Sequence, residues 1–232
     1  MAQINKSEKQ LCVSLVPIFN HLEYSEQEEI AKASRSKTYD KKEVIFQAGD
    51  PSEYLYIVHK GKVKIYNLSE SGKEQLIRIL EPGNFMGELA VFTDEWLTSY
   101  AETIERTEIC AIHKNDLKEL LEDKPAISFK LLAESSKRLM SAEKTIERLS
   151  SQDVEMRVAS YLLELAENAT TLTTPLKVTL PMSKKDLASY IGTSQETLSR
   201  RLAGFEEKGW IHQTGQRKIE ILDMDELIKL GG

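Results

Sequence analysis

The spacing of apolar and polar positions predicts a β-rich region between two helical ones. From Lys37 to about Asp116, apolar and polar residues alternate in short runs such as VIFQAGD, QLIRILEPGNFMGELAVF and YAETIERTEICAI, separated by glycine-containing turns. A period of two is typical of half-buried strands, and turns at this spacing indicate an antiparallel roll or barrel. Residues 1–35 favour short helices instead, and we expect Ser25 to cap one of them.

A long helix is predicted to begin at Pro125, which suits a first helical turn, and to end near Ser151. Within it, apolar residues repeat every seven positions, and a second set of small or apolar residues follows three positions after each. The residues of this seam are Leu132, Leu139, Ala142, Ile146 and Leu149. A seam that persists for three heptads favours a two-stranded parallel coiled coil, and so a homodimer. The alternative is a helix that packs on the core of its own domain.

The C-terminal third has the pattern of a winged helix-turn-helix. The predicted elements are helices at 153–168, 183–191, 194–208 and 223–230 and two strands around Gly215-Gln216. Gly192 lies between the second and third of these helices, where a tight turn needs a left-handed backbone conformation. We therefore expect the helix that follows Gly192 to be the one presented to a partner.

That helix carries polar residues suited to reading DNA bases. Leu198, Leu202 and Phe205 fall on one face and are predicted to be buried. The opposite face, near the N-terminal half that such helices insert into the major groove, carries Gln195, Glu196, Ser199 and Arg200. Arginine can donate two hydrogen bonds to guanine, and glutamate can accept one from cytosine. The alternative is an ordinary helical hairpin with a solvated charged face.

The charge is distributed unevenly along the chain. The formal net charge is −6, yet residues 183–218 hold seven basic and four acidic residues. That segment is therefore net +3 and the rest about −9, which favours an acidic sensor joined to a basic reader of double-stranded DNA. The residues expected to contact DNA phosphates, which set affinity without reading sequence, are Ser183, Lys184, Lys185, Thr197, Arg201, Arg217 and Lys218.

The composition is that of an ordinary soluble protein, with 41% hydrophobic and 29% charged residues in 232. We expect three parts: residues 1–124 as a sensor, 125–151 as a dimerisation helix and 152–232 as a DNA-binding domain. The N-terminus lacks the apolar run of a signal peptide, and no stretch approaches the roughly 18 apolar residues of a membrane span. A cytoplasmic protein with no membrane partner is therefore expected.

No catalytic or metal-binding pattern is evident in the sequence. The four histidines are scattered without metal-ligand spacing, so neither a metal nor another cofactor is expected. The sequence lacks a nucleophile elbow, a phosphate-cradling glycine loop with lysine and a paired histidine motif. An enzyme is therefore not predicted. A β-roll sensor that does not bind DNA is the other class considered, but it would not need Glu196, Ser199 and Arg200 on one face.

Several motifs together resemble the Crp/Fnr family of bacterial transcription regulators, from about Leu15 to the C-terminus. They are F-x-x-G-D at 46–50, KGKV at 60–63, PGNFMGEL at 82–89 and QETLSRRL at 195–202. The resemblance implies an α+β fold with an N-terminal antiparallel β-roll of the cyclic-nucleotide-binding type, a long dimerisation helix and a C-terminal winged helix-turn-helix. It also implies RNA polymerase as a partner if the protein is an activator.

The recognition helix resembles that of the Fnr-like branch, in particular the Flp-type proteins of Gram-positive bacteria. Glu196, Ser199 and Arg200 match the E-x-x-S-R pattern that reads a TTGA-containing half-site in that branch. The cyclic-AMP branch has arginine where Gln195 stands and glycine where Ser199 stands. The resemblance therefore implies an inverted-repeat operator of the TTGA…TCAA type.

The resemblance also places an effector pocket in the β-roll, at Gly87, Glu88, Leu89, Leu97, Thr98 and Ser99. In members that bind cyclic AMP, the glutamate holds a ribose hydroxyl and an arginine in the second segment pairs with the phosphate. Here Leu97 stands in the arginine's place, and a phosphate buried without a cation loses a charge-assisted hydrogen bond. A cyclic-nucleotide response is therefore the weaker alternative, and a small effector of another kind stays open.

Two cysteines raise the question of redox sensing. Cys110 stands in surroundings that match the β-roll cysteine of the Fnr oxygen sensor, and Cys12 falls near that protein's N-terminal group. Two thiolates cannot supply the usual four ligands of an iron–sulfur cluster, so that cofactor is not expected. Similar Gram-positive proteins carry a cysteine pair that forms a reversible disulfide, which the resemblance implies for Cys12 and Cys110. The alternative is a pair of ordinary buried cysteines.

Overall fold

The computed structural model describes residues 13–93, 95–169 and 175–231, apart from the side chains of residues 89–91. The chain divides into two compact units. The first holds the residues up to Gly72 together with Ile77–Leu139, and the second holds Lys73–Leu76 together with the residues from Met140 onwards. The division falls within the long helix, which contributes to both units.

The first unit contains most of the strands. In chain order the elements of this part are α1 (Tyr24–Ala33), β1 (Arg35–Tyr39), β2 (Val44–Phe46), β3 (Tyr54–Lys60), β4 (Val63–Leu68), β5 (Glu74–Leu80), β6 (Phe85–Met86), α2 (Glu88–Thr93), β7 (Tyr100–Thr103), β8 (Thr107–His113), α3 (Lys114–Asp123) and α4 (Pro125–Ser151). The strands form two four-stranded sheets, in the orders β1-β8-β3-β6 and β2-β7-β4-β5.

Strand β8 shows how the apolar pattern builds the roll. Ile109 joins an apolar cluster that draws on strands of both sheets, so this cluster lies between them. Its neighbour Cys110 points the other way, into a cluster that includes helical residues such as Leu117 and Ile127. Neighbouring strands with described registers pair antiparallel. The predicted antiparallel β-roll is confirmed.

Two local predictions are wrong. Ser25 lies inside α1, and the cap is Glu23, whose side chain accepts from the backbone of Glu26 while the Glu26 side chain accepts from the backbone of Glu23. This reciprocal pair satisfies two N–H groups at once, which a serine one residue later would not do. The run after Gly87 was expected to stay extended but forms the short helix α2. The positive φ of Gly87, 86°, turns the chain at the end of β6.

The second unit contains the predicted helices and the two wing strands in the predicted order, together with one strand, Leu176–Thr179, that the sequence did not predict. After the end of α4 it contains α5 (Val154–Glu167), β9 (Leu176–Thr179), α6 (Lys184–Tyr190), α7 (Gln195–Glu207), β10 (Ile211–Gln213), β11 (Lys218–Ile221) and α8 (Met224–Gly231). The three strands form an antiparallel sheet in the order β10-β11-β9. A winged helix-turn-helix is therefore confirmed, as is a long helix from Pro125 to Ser151. Among the described helices, none is both long and apolar enough to cross a membrane.

Candidate DNA-binding face and effector cavity

Helices α6 and α7 are fixed at their starts by serine caps. The Ser183 hydroxyl accepts from the N–H of Asp186 at 3.1 Å, and the Ser194 hydroxyl accepts from the N–H of Thr197 at 3.1 Å. These caps satisfy N–H groups that have no partner within the helix. Between the helices, Gly192 has a φ of 69°, as the tight turn requires. The turn and the caps together aim the N-terminal half of α7.

The two faces of α7 differ as the sequence predicts. Leu198, Leu202 and Phe205 are buried and attach the helix to the rest of the unit. The four residues expected to read bases, Gln195, Glu196, Ser199 and Arg200, are all exposed in the first half of the helix. A polar, solvent-facing N-terminal half is the part of such a helix that can enter a major groove.

The residues expected to contact DNA phosphates differ in their exposure and in their contacts within the protein. Lys185, Arg217 and Lys218 are exposed, the last two beside the turn between β10 and β11. Lys184 is half-buried, and its ammonium donates to the Gln213 side chain at 2.6 Å. Thr197 is also half-buried, and its hydroxyl lies 3.0 Å from that of Ser194.

Arg201 is engaged by an acidic residue that the sequence argument did not consider. Its guanidinium donates to Glu155 of α5 at 2.9 Å, and Lys208 reaches the other oxygen of the same carboxylate at 3.1 Å. One carboxylate thus holds two cations from α7 and its C-terminal end. No local spacing could reveal this contact, because Glu155 lies 46 residues before Arg201 in the chain.

Hydrogen bonds tie the first wing strand, β10, to α7. Glu206 accepts from the N–H and the side-chain amide of Gln213, both at 2.8 Å, and from His212 at 2.9 Å. These contacts, above all the backbone N–H of Gln213, hold the pKa of Glu206 below its ordinary value. The network places the wing relative to the recognition helix.

The predicted seam of α4 is open to solvent in the single chain. Leu132, Leu139 and Ile146 are 63%, 62% and 64% exposed. Leu149 is 41% exposed, and Ala142 is also exposed. The buried residues of this helix, Ile127 and Leu131, both lie near its start. At Leu132, Leu139, Ala142 and Ile146 the seam is therefore not packed on the core of the described chain, which disfavours that alternative for these four residues.

Most residues of the expected effector pocket line one cavity of about 140 Å³ in the first unit. Gly87, Glu88, Leu97, Thr98 and Ser99 all contribute to it. The side chain of Leu89 lies outside the described set. At Gly87, an added Cβ would lie 2.6 Å from the carbonyl oxygen of Tyr54, so only glycine fits this backbone position.

Glu88 lines this cavity and is only 5% exposed. One carboxylate oxygen, Oε1, accepts from Arg138 of α4 and lies 3.7 Å from a guanidinium nitrogen of Arg78. Arg138 also donates to the Phe85 carbonyl at 2.9 Å and stacks over the Phe85 ring. The other oxygen, Oε2, is buried with no hydrogen-bond partner among the described residues.

Arg78 is a functional candidate that the sequence argument missed. It lines the cavity from β5, and its Nε is buried with no partner in the described part of the chain. Burial, followed by the charge of Arg138, lowers the pKa of Arg78, while Glu88 opposes this shift. The signal was present: Leu76 and Leu80, both buried, share a strand face with Arg78. A charged residue on a buried strand face indicates a site.

The redox hypothesis rests on one described residue. Cys110 is 1% exposed within the helix-covered core, and the hydroxyl of Ser36 lies 3.4 Å from its sulfur. It is not a free thiol. Cys12 lies outside the described residues, so a reversible switch between the two stays a prediction. Within the described ranges, no group of three or more His, Cys, Asp or Glu could hold a metal ion.

Comparisons with known proteins agree with both halves of the structure. Residues 36–124 match the cyclic nucleotide-binding domain family, and residues 156–230 match the Crp-like helix-turn-helix domain family. The "Probable transcriptional regulator flp" of Lacticaseibacillus casei is 32% identical over 93% of this chain and 96% of its own length.

Two further relatives extend the similarity. The "CRP-like cAMP-activated global transcriptional regulator" of Mycobacterium tuberculosis is 32% identical over 91% of this chain and 95% of its own. The solved structure of FixK2 from Bradyrhizobium japonicum is 27% identical, with a TM-score of 0.74 over 86% of this chain and 98% of that one. With the β-roll, the long helix and the winged helix-turn-helix in place, the chain belongs to the Crp/Fnr family: it is a DNA-binding transcription regulator with an effector-binding domain.

Proposed function

We propose that two copies of this chain bind an operator built from two TTGA half-sites in inverted repeat, TTGA…TCAA. One observation carries the proposal: Gln195, Glu196, Ser199 and Arg200 are exposed together on the first half of α7, whose other face is buried. A regulator of transcription works beside the chromosome, so we place the protein in the cytoplasm. If it activates transcription, RNA polymerase is a further partner.

The side chains suit the one G·C pair of a TTGA half-site. Arg200 can donate two hydrogen bonds to the guanine, and Glu196 can accept from the amino group of the paired cytosine. Ser199 can contact a base or a phosphate. Gln195 can bind an adenine edge, where the half-site offers A·T pairs. Charges from Lys185, Arg217 and Lys218 supply attraction that does not depend on sequence.

The homodimer is supported by the exposed seam of α4. Leu132, Leu139 and Ile146 each present most of an apolar side chain to water, at the heptad spacing of a coiled coil. Burying such a stripe against its copy removes apolar surface from solvent. A two-fold dimer presents two recognition helices about one helical turn of DNA apart, which matches an inverted repeat.

The test is equilibrium binding by fluorescence anisotropy of the full chain to three labelled duplexes. The first carries TTGA and TCAA with centres about 10 bp apart, the second has one half-site scrambled, and the third has both scrambled. We expect the first duplex to bind at least about tenfold more tightly than the second and about a thousandfold more tightly than the third. Equal affinity for all three would rule out this operator.

A thiol switch through Cys12 and Cys110 is the second candidate for the signal, ahead of a cyclic nucleotide. It is favoured by the finding that Cys110 is not a free thiol. Its test compares reduced and oxidised protein for free-thiol count and for affinity to the TTGA duplex, with Cys110→Ser as control. An unchanged thiol count together with an unchanged affinity would dismiss the switch.

A further inference from the structure

We propose that the cavity of the first unit binds a compact hydroxy acid, a short aliphatic carboxylate with a hydroxyl on the neighbouring carbon. Arg78 binds the carboxylate, and Glu88 accepts the hydroxyl. This ligand would be the effector of the regulator proposed above. Its role in regulation rests on that proposed function, whereas its binding to the cavity does not. The cavity itself lies wholly within the first unit.

The charges at the cavity favour an anion. Two guanidinium groups, those of Arg78 and Arg138, face the single buried carboxylate of Glu88. Arg138 is fully engaged by Glu88 and by the carbonyl and ring of Phe85. Arg78 is not: its closest carboxylate oxygen is 3.7 Å away, and its Nε is buried without a partner among the described residues. Glu95 also lines the cavity but is exposed, so water screens its charge.

The unpaired oxygen of Glu88 favours a ligand that carries a hydrogen-bond donor. Glu88 is more than nine-tenths buried, and its Oε2 has no partner within the described ranges. An ionised carboxylate only accepts hydrogen bonds, so a ligand hydroxyl meets the need that a second carboxylate would not. A guanidinium nitrogen of Arg78 lies 3.7 Å from Oε1 of Glu88, so a ligand that meets both side chains carries its acid and its hydroxyl close together, as on neighbouring carbons.

The other residues that line the cavity indicate the chemistry of the remainder of the ligand. Phe46, Ile65, Met86 and Leu97 line the cavity and offer an apolar surface to a short hydrocarbon chain. Leu97, which lines the cavity, offers no cation to a phosphate, so an anion is better placed at Arg78. These features together favour a small hydroxy acid over a cyclic nucleotide.

The test is isothermal titration of the full chain, without DNA, with 2-hydroxy-4-methylpentanoate. Two matched compounds each remove one feature: 4-methylpentanoate lacks the hydroxyl, and 4-methylpentane-1,2-diol lacks the carboxylate. We expect the hydroxy acid to bind with a Kd below about 1 mM and each matched compound to bind at least about tenfold more weakly. Equal binding of the three, or no binding by any of them, would overturn the proposal and leave only an internal ion pair.

A variant separates the role of Arg78 from general effects. Arg78→Gln should weaken hydroxy-acid binding at least about tenfold, since the charge-assisted hydrogen bonds are lost, whereas Lys32→Gln, at an exposed surface cation of the same unit, should not change it. If Arg78→Gln fails to fold, the matched compounds on the unmodified protein still decide. The inference would also be overturned if cyclic AMP binds to the protein and the hydroxy acid does not. Binding to the TTGA duplex is measured in a separate experiment. A failure to bind that duplex would count against the proposed operator and not against the hydroxy-acid site.

Discussion

Leu149, near the end of α4, packs against Gly192, the turn residue of the helix-turn-helix. A Cβ added to Gly192 would lie 2.9 Å from Cδ2 of Leu149. The turn is also held from α5, where Arg157 donates to the Ile191 carbonyl at 2.9 Å. A residue of the proposed dimer seam is therefore a direct neighbour of the turn that aims the recognition helix.

Replacing Gly192 with alanine should destabilise the second unit. The left-handed φ of 69° costs an L-residue roughly 1–2 kcal/mol, and the new methyl group must also displace Leu149. We expect the free energy of unfolding to fall by at least about 1 kcal/mol in urea denaturation. The control is Gly204→Ala within α7, where a Cβ meets nothing within 4 Å and helix propensity should raise stability by up to about 1 kcal/mol. Equal stabilities of the two variants would contradict the strained turn.

Arg200→Ala should weaken operator binding by about 1–3 kcal/mol, as expected for a two-bond contact to guanine. The loss should be confined to the TTGA duplex, with little change on scrambled DNA, in anisotropy titrations at fixed salt. The control is Lys185→Ala, which removes an exposed charge expected at a phosphate. It should lower the affinity for both duplexes alike and reduce the number of ions released on binding, read from the salt dependence of the affinity, by about one. If Arg200→Ala affects both duplexes equally, the arginine does not read the base.

Leu139→Glu should convert the protein to monomers. Leu139 lies mid-seam and is 62% exposed in the single chain, so the glutamate is tolerated in the monomer but places two like charges in the dimer. We expect sedimentation equilibrium to give one chain mass and the TTGA duplex to bind no better than its half-scrambled version. Lys144→Glu, exposed and outside the seam, is the matched control and should remain dimeric. A dimeric Leu139→Glu protein would place the interface elsewhere.

The network at Glu206 predicts a pH effect on stability. Its pKa lies below the ordinary 4.5 because Gln213 and His212 donate hydrogen bonds to the carboxylate. The unfolded chain therefore takes up this proton at a higher pH than the folded chain, so the stabilisation is complete above about pH 4.5 and is lost as the pH falls through the lower folded value. Glu206→Gln should show a shallower loss of the urea midpoint on acidification, whereas the exposed neighbour Glu207→Gln should follow the wild type.

Local signals in the sequence predicted most of the fold. The heptads and Pro125 predicted the 27-residue helix α4, and Gly192 between two helical patterns predicted the helix-turn-helix. The short run 88–93 was misread because six residues carry too little periodicity to separate a helix from a strand. The cap of α1 was misplaced because a reciprocal Glu23–Glu26 pair outcompeted Ser25.

Contacts between distant residues could not be predicted from the sequence. Arg138 meets Glu88 across 50 positions, and Arg201 meets Glu155 across 46. Neither pair has a spacing that signals contact, because the fold alone brings the partners together. The chemistry of the effector cavity depends on the first of these pairs, whereas the exposed face of α7 depends only on helical periodicity.

The single carboxylate of Glu155 is shared by Arg201 and Lys208, so it offsets one of their two positive charges within the protein. When either cation moves to a DNA phosphate, the carboxylate that it leaves attracts a cation from solution, so the net release of ions is smaller than for a free lysine or arginine. The affinity for DNA should consequently fall less steeply with added salt than the seven basic residues between 183 and 218 suggest. We therefore expect Glu155 to limit non-specific attachment to the chromosome and to leave more of the total affinity to base recognition by α7.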